Sequence, residues 1–311
     1  MKNCDSMMSS NCPVCGSGNV IEQGLYRNKH PLFDSCSRVI CGDCEMIFAS
    51  PMPCESALLE YNTHYFAVAH GGQPTDKLAI AFFAGIARVR HAFVSRFLMQ
   101  HQITVNGVLE LGPGPGYFAR SWIQDMPQSS YYAVETDGSC HQALRELGVQ
   151  IVDLADCPPV DMVVASHVLE HVPDPVGFIR TATRGLRPGG VLFAEIPCRD
   201  WEHKAIDEPH VLFFDKVPMR RLLEDLGFTD IELSYHGQKI SKLTSELGLH
   251  SSLMRVRTKL ISWGLIAPFA KKRDGMEMII DPLQRAMVKP YEAHRESSQP
   301  SWWLRALARK S

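Results

Sequence analysis

A surplus of charge of one sign is missing from this chain. Its 311 residues carry 32 Lys and Arg against 34 Asp and Glu, a formal net charge of -2, so the broad basic surface of a general nucleic-acid binder is absent. The average hides an asymmetry: residues 241–311 hold 13 basic against 6 acidic side chains, and residues 1–240 hold 19 against 28. Such a basic C-terminal part is read either as a solvated face or as a contact for an anionic surface. Long hydrophobic runs are missing too. No stretch supplies the ~18 uninterrupted apolar residues needed to cross a bilayer, and Met1–Asn11 is polar, without the apolar core of a secretion signal. The ten cysteines are therefore expected to stay reduced, as metal ligands or packing, in the cytoplasm.

Four of those cysteines have a pattern. Cys12-Pro-Val-Cys15 and Cys41-Gly-Asp-Cys44 form two C-x2-C pairs separated by 25 residues. Two such turns can place four thiolates tetrahedrally around one Zn²⁺ at ~2.3 Å. Gly16 and Gly42 suit the tight turns, and Val20–Tyr26 and Ser37–Ile40 suit the strands of a ribbon. Four sulfur ligands leave no open coordination position, so the expected zinc is structural. Cys4, Cys36 and Cys54 fall outside the pattern, and a redox role is disfavoured because neither pair opens a βαβ unit.

Beyond the module, Lys77–Gln100 is apolar at helical spacing through Leu78, Phe82, Ile86, Val89, Phe93 and Phe97, and predicts a capping helix. An alternation of strands and helices follows, which is the pattern of an α/β fold with a mostly parallel sheet. Strands are expected at 107–111, 131–135, 149–152, 161–166 and 191–196, with helices at 116–124, 139–147, 174–186 and 217–226. Thr229–Tyr235 reads as an edge strand, 241–272 as an amphipathic helical stretch, and Met276–Ile280 as a last strand. The division that results is a zinc-binding module at 1–56, capping helices at 57–104, a core at 105–240, and a helical insert with a basic tail at 241–311.

The strand Gly107–Leu111 runs into Gly112-Pro-Gly114-Pro-Gly116, and a helix begins at Tyr117. Glycines at alternate positions let the backbone turn sharply and a ligand approach closely, with helix N–H groups pointing at it. This is a nucleotide-type cradle. A dinucleotide fingerprint would place its third glycine at position 117, where this chain has Tyr117. Gly112-x-Gly114-x-Gly116 fits better a turn around the amino-acid part of S-adenosylmethionine, and Glu135, 23 residues after Gly112, suits ribose hydroxyls with either cofactor.

Ser166-His-Val-Leu-Glu-His-Val-Pro173 and Gly185-Leu-Arg-Pro-Gly-Gly190 decide between the two. With Glu110–Gly116, Glu135 and His210-Val-Leu-Phe-Phe214, they make residues 105–236 resemble class I S-adenosylmethionine-dependent methyltransferases. The N-terminal cysteines, with Met46-Ile-Phe and Pro51-Met-Pro53, resemble the subgroup with a Cys4 module before the catalytic domain. The resemblance implies a doubly wound, mostly parallel, seven-stranded Rossmann-like sheet beside a zinc-ribbon-like module. It implies that Glu110, Gly112, Gly114 and Gly116 hold the methionine and adenosine end, that Glu135 holds the ribose, and that Asp153 or Asp156 reads the adenine, with Ser166 beside them.

The implied activity is methyl transfer to a small molecule, expected at a hydroxyl of a sugar or secondary metabolite. A hydroxyl acceptor needs a base, and His167, His171, His203 and His210 are the candidates, with the Leu169-Glu-His171 turn open to a purely structural role. An Asn/Asp-Pro-Pro-aromatic turn, common where amino groups are methylated, is replaced here by Ser166-His167-Val168. Two other readings stand beside this one: an RNA base methyltransferase gripping RNA through its zinc module, and a silent scaffold. Residues 1–56 carry four basic against six acidic side chains, a thin footprint for RNA, and the intact glycines and Glu135 speak against a scaffold. Tyr61, Tyr65 and Phe66 are candidates to line the substrate mouth. Trp302 and Trp303, beside Arg305, Arg309 and Lys310, are candidates for a peripheral membrane anchor or a docked terminal segment.

Overall fold

The computed structural model describes residues 11–69, 77–245 and 282–311, with a few positions between 256 and 265. The N-terminal strands β1 (Val20–Leu25), β2 (Ser37–Cys41) and β3 (Ile47–Ser50) form an antiparallel meander. Two helices follow, α1 (Glu55–Ala69) and α2 (Lys77–Gln100), and α2 covers the residues expected of it. By length and composition alone α2 could cross a membrane, with a mean hydropathy of 1.4 over its most apolar window. Its Phe93, Val94 and Phe97 are instead buried in the core, which is why it is so apolar.

The core then alternates as β4 (Gly107–Leu111), α3 (Tyr117–Asp125), β5 (Ser130–Val134), α4 (His141–Glu146), β6 (Gln150–Ile151), β7 (Val160–Ser166), α5 (Pro175–Ala182) and β8 (Leu186–Pro197). After β8 come β9 (Leu212–Phe213), α6 (Lys216–Asp225), β10 (Phe228–Lys239), α7 (Ile240–Ser245), α8 (Pro282–Val288), β11 (Glu296–Ser297) and β12 (Ser301–Lys310). The main sheet has the order β11-β10-β12-β8-β7-β4-β5-β6. Strands β4 to β8 in it are parallel, and β12 is antiparallel to both β8 and β10. It is the expected mostly parallel α/β sheet, with the two-residue β11 added at its edge.

Burial on both faces explains the continuous apolar strands. Along β7, Met162 and Val164 pack with Phe93, Phe118, Trp122 and Phe193 on one side. Val163 and Ala165 pack with Ile179, Leu222 and Leu223 on the other. That second cluster also contains Phe33, Met46 and Phe48 of the N-terminal meander. The meander is completed by β9: Ile47 pairs with Phe213 and Phe48 with Leu212. Burying an aromatic side chain such as Phe48 contributes about 1.5–3 kcal/mol, so the module shares a core with the large domain.

Three expectations change. The helix expected to reach residue 186 ends at Ala182, where the Thr183 hydroxyl donates back to the Ile179 carbonyl at 2.7 Å. The strand expected to begin at residue 191 begins at Leu186 and contains a bulge at Pro188–Gly190: Val160 faces Leu186, but two residues later Met162 faces Val191. A Cβ on Gly190 would lie 2.8 Å from the Asp161 carbonyl oxygen. The basic tail is not a tail. Ser301–Lys310 is a strand between β8 and β10, with Trp303 and Arg305 buried and Lys310 donating to the Thr183 and Leu186 carbonyls. The proposed anchor residues thus close the sheet. The strand expected at Met276–Ile280 and most of the helix at 241–272 lie outside the described residues.

Candidate functional site

Strand β4 lies between β5 and β7, so the strand order reverses there, and ligands of a doubly wound sheet bind beyond the carboxyl ends of strands at such a point. The carboxyl end of β4 delivers Gly112, Gly114 and Gly116, all left-handed, with φ of 60°, 55° and 79°. Each conformation disfavours a side chain, but the neighbourhoods differ. A Cβ on Gly116 would stand 2.8 Å from Leu144 Cδ2, and one on Gly112 would stand 3.1 Å from Val168 Cγ2. A Cβ on Gly114 would meet nothing within 4 Å; it would project into open space above the loop.

Glu135, just past β5, borders that space. One carboxylate oxygen accepts from the Gly114 N–H at 2.8 Å and the other from the Asp137 N–H at 2.8 Å. An ionised carboxylate has about four acceptor sites, so ribose hydroxyls can still be bound. Glu110 sits beneath the loop, fully buried, where the Tyr131 hydroxyl donates to it at 2.7 Å. Burial pushes its carboxyl up to about 7 against that hydrogen bond. Asp153 is exposed and follows β6 at the same edge of the sheet, and Asp156 closes the short helical turn after it.

On the other side of the switch point β7 ends at Ser166, whose hydroxyl oxygen is buried without a hydrogen-bond partner. His167 follows in the left-handed region, φ 57°, a strained conformation for a residue with a Cβ and one common at functional sites. Its N–H donates to the Glu195 carbonyl at 2.8 Å. Its ring lies between two buried carboxylates, Nδ1 3.3 Å from Glu170 and Nε2 3.3 Å from Glu195, with the side chain still 35% exposed. Burial opposes a charge on the ring, but Glu170 and Glu195 outweigh it and raise the His167 pKa. Glu195 carries two cations: Arg90 of α2 donates to one oxygen at 2.6 Å and Arg305 of β12 to the other at 2.6 Å. Despite burial, Arg90 and Arg305 hold the Glu195 carboxyl well below its usual range.

The other histidines are deeper. His171 is buried, which drives its pKa down to about 3. Its ring meets that of His210 edge-on at 4.9 Å. His210 Nδ1 lies 2.6 Å from Asp200, which also accepts from Lys204 at 2.9 Å. His203 packs against Trp302, away from His167 and His171. Of the four, His167 alone pairs partial exposure with a place at the switch point.

The N-terminal module reaches this region through Asp207, a buried acid that accepts from Arg27 of the segment after β1 and from Arg38 of β2. The Asp207 carbonyl accepts from the His210 N–H at 3.0 Å, and the Glu170 carbonyl accepts from Val211 N–H at 2.9 Å. Within the module, Cys12 and Cys44 sulfurs lie 3.5 Å apart, as do those of Cys15 and Cys41. All four lie within 4.8 Å of one another, close to the ~3.8 Å edges of a tetrahedron with 2.3 Å arms. Tyr61 packs on His30 and Phe33 of the module, and the side chains of Tyr65 and Phe66 lie outside the described residues.

Sequence reading missed Arg90, Glu195, Asp200 and Asp207, and read Arg305 only as part of a basic terminal segment. Glu195 had a signal: an acid inside an otherwise apolar strand is expensive unless paired. Its partners come from 105 and 110 residues away in the chain, a pairing no local pattern reveals.

Residues 84–233 match the methyltransferase domain family. The chain is 33% identical over 118 residues to a trans-aconitate 2-methyltransferase of Azoarcus sp., covering 36% of this chain and 44% of that protein. It is 29% identical over 171 residues to a protein of Mycobacterium tuberculosis named as a probable S-adenosylmethionine-dependent methyltransferase, covering 51% and 62%. The aligned parts thus span about half the length of these relatives. Among solved structures, a plantazolicin methyltransferase bound to a substrate analogue and S-adenosylhomocysteine superposes with a TM-score of 0.48 at 13% identity, covering 82% of this chain and 98% of that one.

Proposed function

We propose that this chain, whose residues 84–233 carry a methyltransferase domain of the S-adenosylmethionine-dependent class, transfers a methyl group to a hydroxyl of a small molecule. The observation that carries the reading is the glycine loop. Three left-handed glycines stand at the switch point of the sheet, with open space over Gly114 and the Glu135 carboxylate at its rim. Both this space and the unpartnered Ser166 hydroxyl suit a bound nucleoside. S-adenosylmethionine, when bound, supplies an electrophilic methyl on a sulfonium.

The chain's own part is to align and to manage a proton. Glu135 orients the ribose, and the Gly112–Gly116 backbone brackets the amino-acid end. Methyl transfer needs the reacting atoms held in line in a site emptied of water. His167 acts as base when neutral, with one ring nitrogen turned from its carboxylate to the acceptor. That nitrogen takes the proton from the hydroxyl as the oxygen attacks, and Glu170 and Glu195 stabilise the imidazolium that results. A small acceptor is favoured by the relatives named for trans-aconitate and by the acidic balance of residues 1–56. The cluster of Cys12, Cys15, Cys41 and Cys44 is proposed to hold a structural Zn²⁺.

The test is calorimetric binding of S-adenosylhomocysteine, followed by labelled-methyl transfer into fractionated small-molecule and RNA extracts. Binding together with label in the small-molecule fraction is expected. No binding at millimolar ligand would overturn the cofactor reading, and label confined to RNA would overturn the acceptor reading.

A further inference from the structure

A second group of potential ligands lies beside the switch point. Glu170, His171 and His210 each offer one ligand atom, all within 4.8 Å of one another and all three residues buried. Two histidines and a carboxylate this close together are a donor set for borderline divalent cations. A buried cluster is not a site merely by its composition, but two further observations point to a ligand. Both carboxylate oxygens of Glu170 are buried without a hydrogen bond: Oε1 is 3.3 Å from His167 Nδ1 and 4.0 Å from His171 Nε2, outside bonding geometry. The His167 ring at 3.3 Å answers that charge only in part, and a fully buried carboxylate without hydrogen bonds remains costly.

The second observation is the support behind the histidines. A metal-binding imidazole characteristically gives its other nitrogen to a carboxylate or a carbonyl, which sets tautomer and orientation. His210 does so through Nδ1 to Asp200 at 2.6 Å, leaving Nε2 for the cluster. Asp200 is in turn held by Lys204. His171 bonds the backbone of Pro209. The two rings meet at 4.9 Å, so shifts of about an ångström would bring both nitrogens and a Glu170 oxygen to the ~2.0–2.2 Å of metal ligation.

We propose that Glu170, His171 and His210 form a binding site for one divalent first-row cation, separate from the four-cysteine cluster, with positions open to oxygen atoms of the acceptor. Its donor set is nitrogen and oxygen, so it accepts Mn²⁺, which the all-thiolate cluster does not favour. What the ion does rests on the methyl-transfer reading: beside His167 it would hold a hydroxyl or carboxylate of the acceptor and make a bound hydroxyl easier to deprotonate. The binding itself does not depend on that reading.

The experiment is a Mn²⁺ titration of the full-length protein followed by electron paramagnetic resonance, where bound ion leaves the free-ion signal. One Mn²⁺ per chain is expected in the parent and in a Cys41→Ser variant that remains folded. Glu170→Gln is expected to lose it, and Asp200→Asn, which removes the charge behind His210 and beside Lys204 but no ligand, to weaken it ~10–100-fold. Circular dichroism checks folding, and Asp200→Asn serves if Glu170→Gln does not fold. A parent protein that takes up no Mn²⁺ at millimolar ion overturns the proposal, as do both variants binding like the parent. Mn²⁺ uptake without S-adenosylhomocysteine binding would sink the methyl-transfer reading and leave this site standing.

Discussion

Gly114 and Gly116 share a backbone conformation and differ in what surrounds them, so they separate folding from binding. Gly116→Ala places a methyl group 2.8 Å from Leu144 and 2.9 Å from Leu147 in the α4 region. Left-handed strain of about 1–2 kcal/mol adds to the crowding, and a loss of about 2–3 kcal/mol in urea unfolding is expected. Gly114→Ala carries only the strain, since nothing lies within 4 Å of the added group. Its loss should fall on S-adenosylhomocysteine affinity, at least tenfold by calorimetry, with stability changed by no more than about 1–2 kcal/mol. Equal effects of both changes on stability and on affinity would show that the open space is not where the cofactor sits. At His167, replacement by alanine should lower turnover ~10²–10⁴-fold with affinity for S-adenosylhomocysteine preserved. Undiminished turnover removes it as the base.

Among the elements, α2, β8 and β12 are joined by one buried carboxylate. Arg90 and Arg305 converge on Glu195 from a helix and from the last strand, and Arg305 is 1% exposed. Removing a partner from such a group leaves buried charge unmatched, at a cost of about 3–5 kcal/mol. Glu195→Gln should therefore shift the urea midpoint strongly, whereas Glu224→Gln, in an exposed pair with Arg220, should change it by less than about 1 kcal/mol. The β2–β3–β9 pairing and the Arg27 and Arg38 contacts to Asp207 couple the cysteine module to the segment carrying His210. A chelator that strips a metal from the four-cysteine cluster should accordingly lower both thermal stability and turnover, followed by scanning calorimetry and the methyl-transfer assay. Loss of metal without change in either would make the module an independent appendage.

For the whole molecule, buried titratable groups set the response to acid. Burial drives His91 down to about 4 and His236 down to about 2, while Glu195 is held well below the usual carboxylate range. At these three groups the unfolded chain takes up protons first, on histidines near pH ~6.5 and on carboxylates near ~4.3. Glu110, raised to about 7, and His167, raised by its carboxylates, add stability as pH falls through their folded values, so a shallow rise is expected from about pH 8 towards 7. The depressed histidines then dominate, and stability should fall as pH drops below ~6, continuing below ~4 as the folded carboxylates finally protonate. Urea unfolding from pH 4 to 8 checks this, and stability rising on acidification through pH 6 would contradict the sign. Truncation tests the topology. Because β12 separates β8 from β10, a chain ending at residue 298 should lose near-ultraviolet circular dichroism and cooperative unfolding. A folded truncation would mean that the sheet closes without it.

The local sequence was sufficient wherever one segment's own pattern carried the information. Lys77–Gln100 and Gly107–Leu111 have the bounds their periodicity predicts, since side-chain spacing decides which face is buried. The three glycines announced the turn at the switch point because only glycine adopts left-handed backbone cheaply, and the paired C-x2-C spacing brings four sulfurs together. Long-range pairing decided the rest. Ser301–Lys310 reads by itself as a basic, tryptophan-bearing terminus; it is a central strand because Glu195 and Arg305 neutralise each other in register. His167, His171 and His210 are alike in sequence. They were separated only by tertiary neighbours: two carboxylates and solvent for the first, a buried cluster with Glu170 for the others. A histidine's chemistry depends on the charges and burial around its ring, and those are fixed when β7, β8 and the segment before β9 meet.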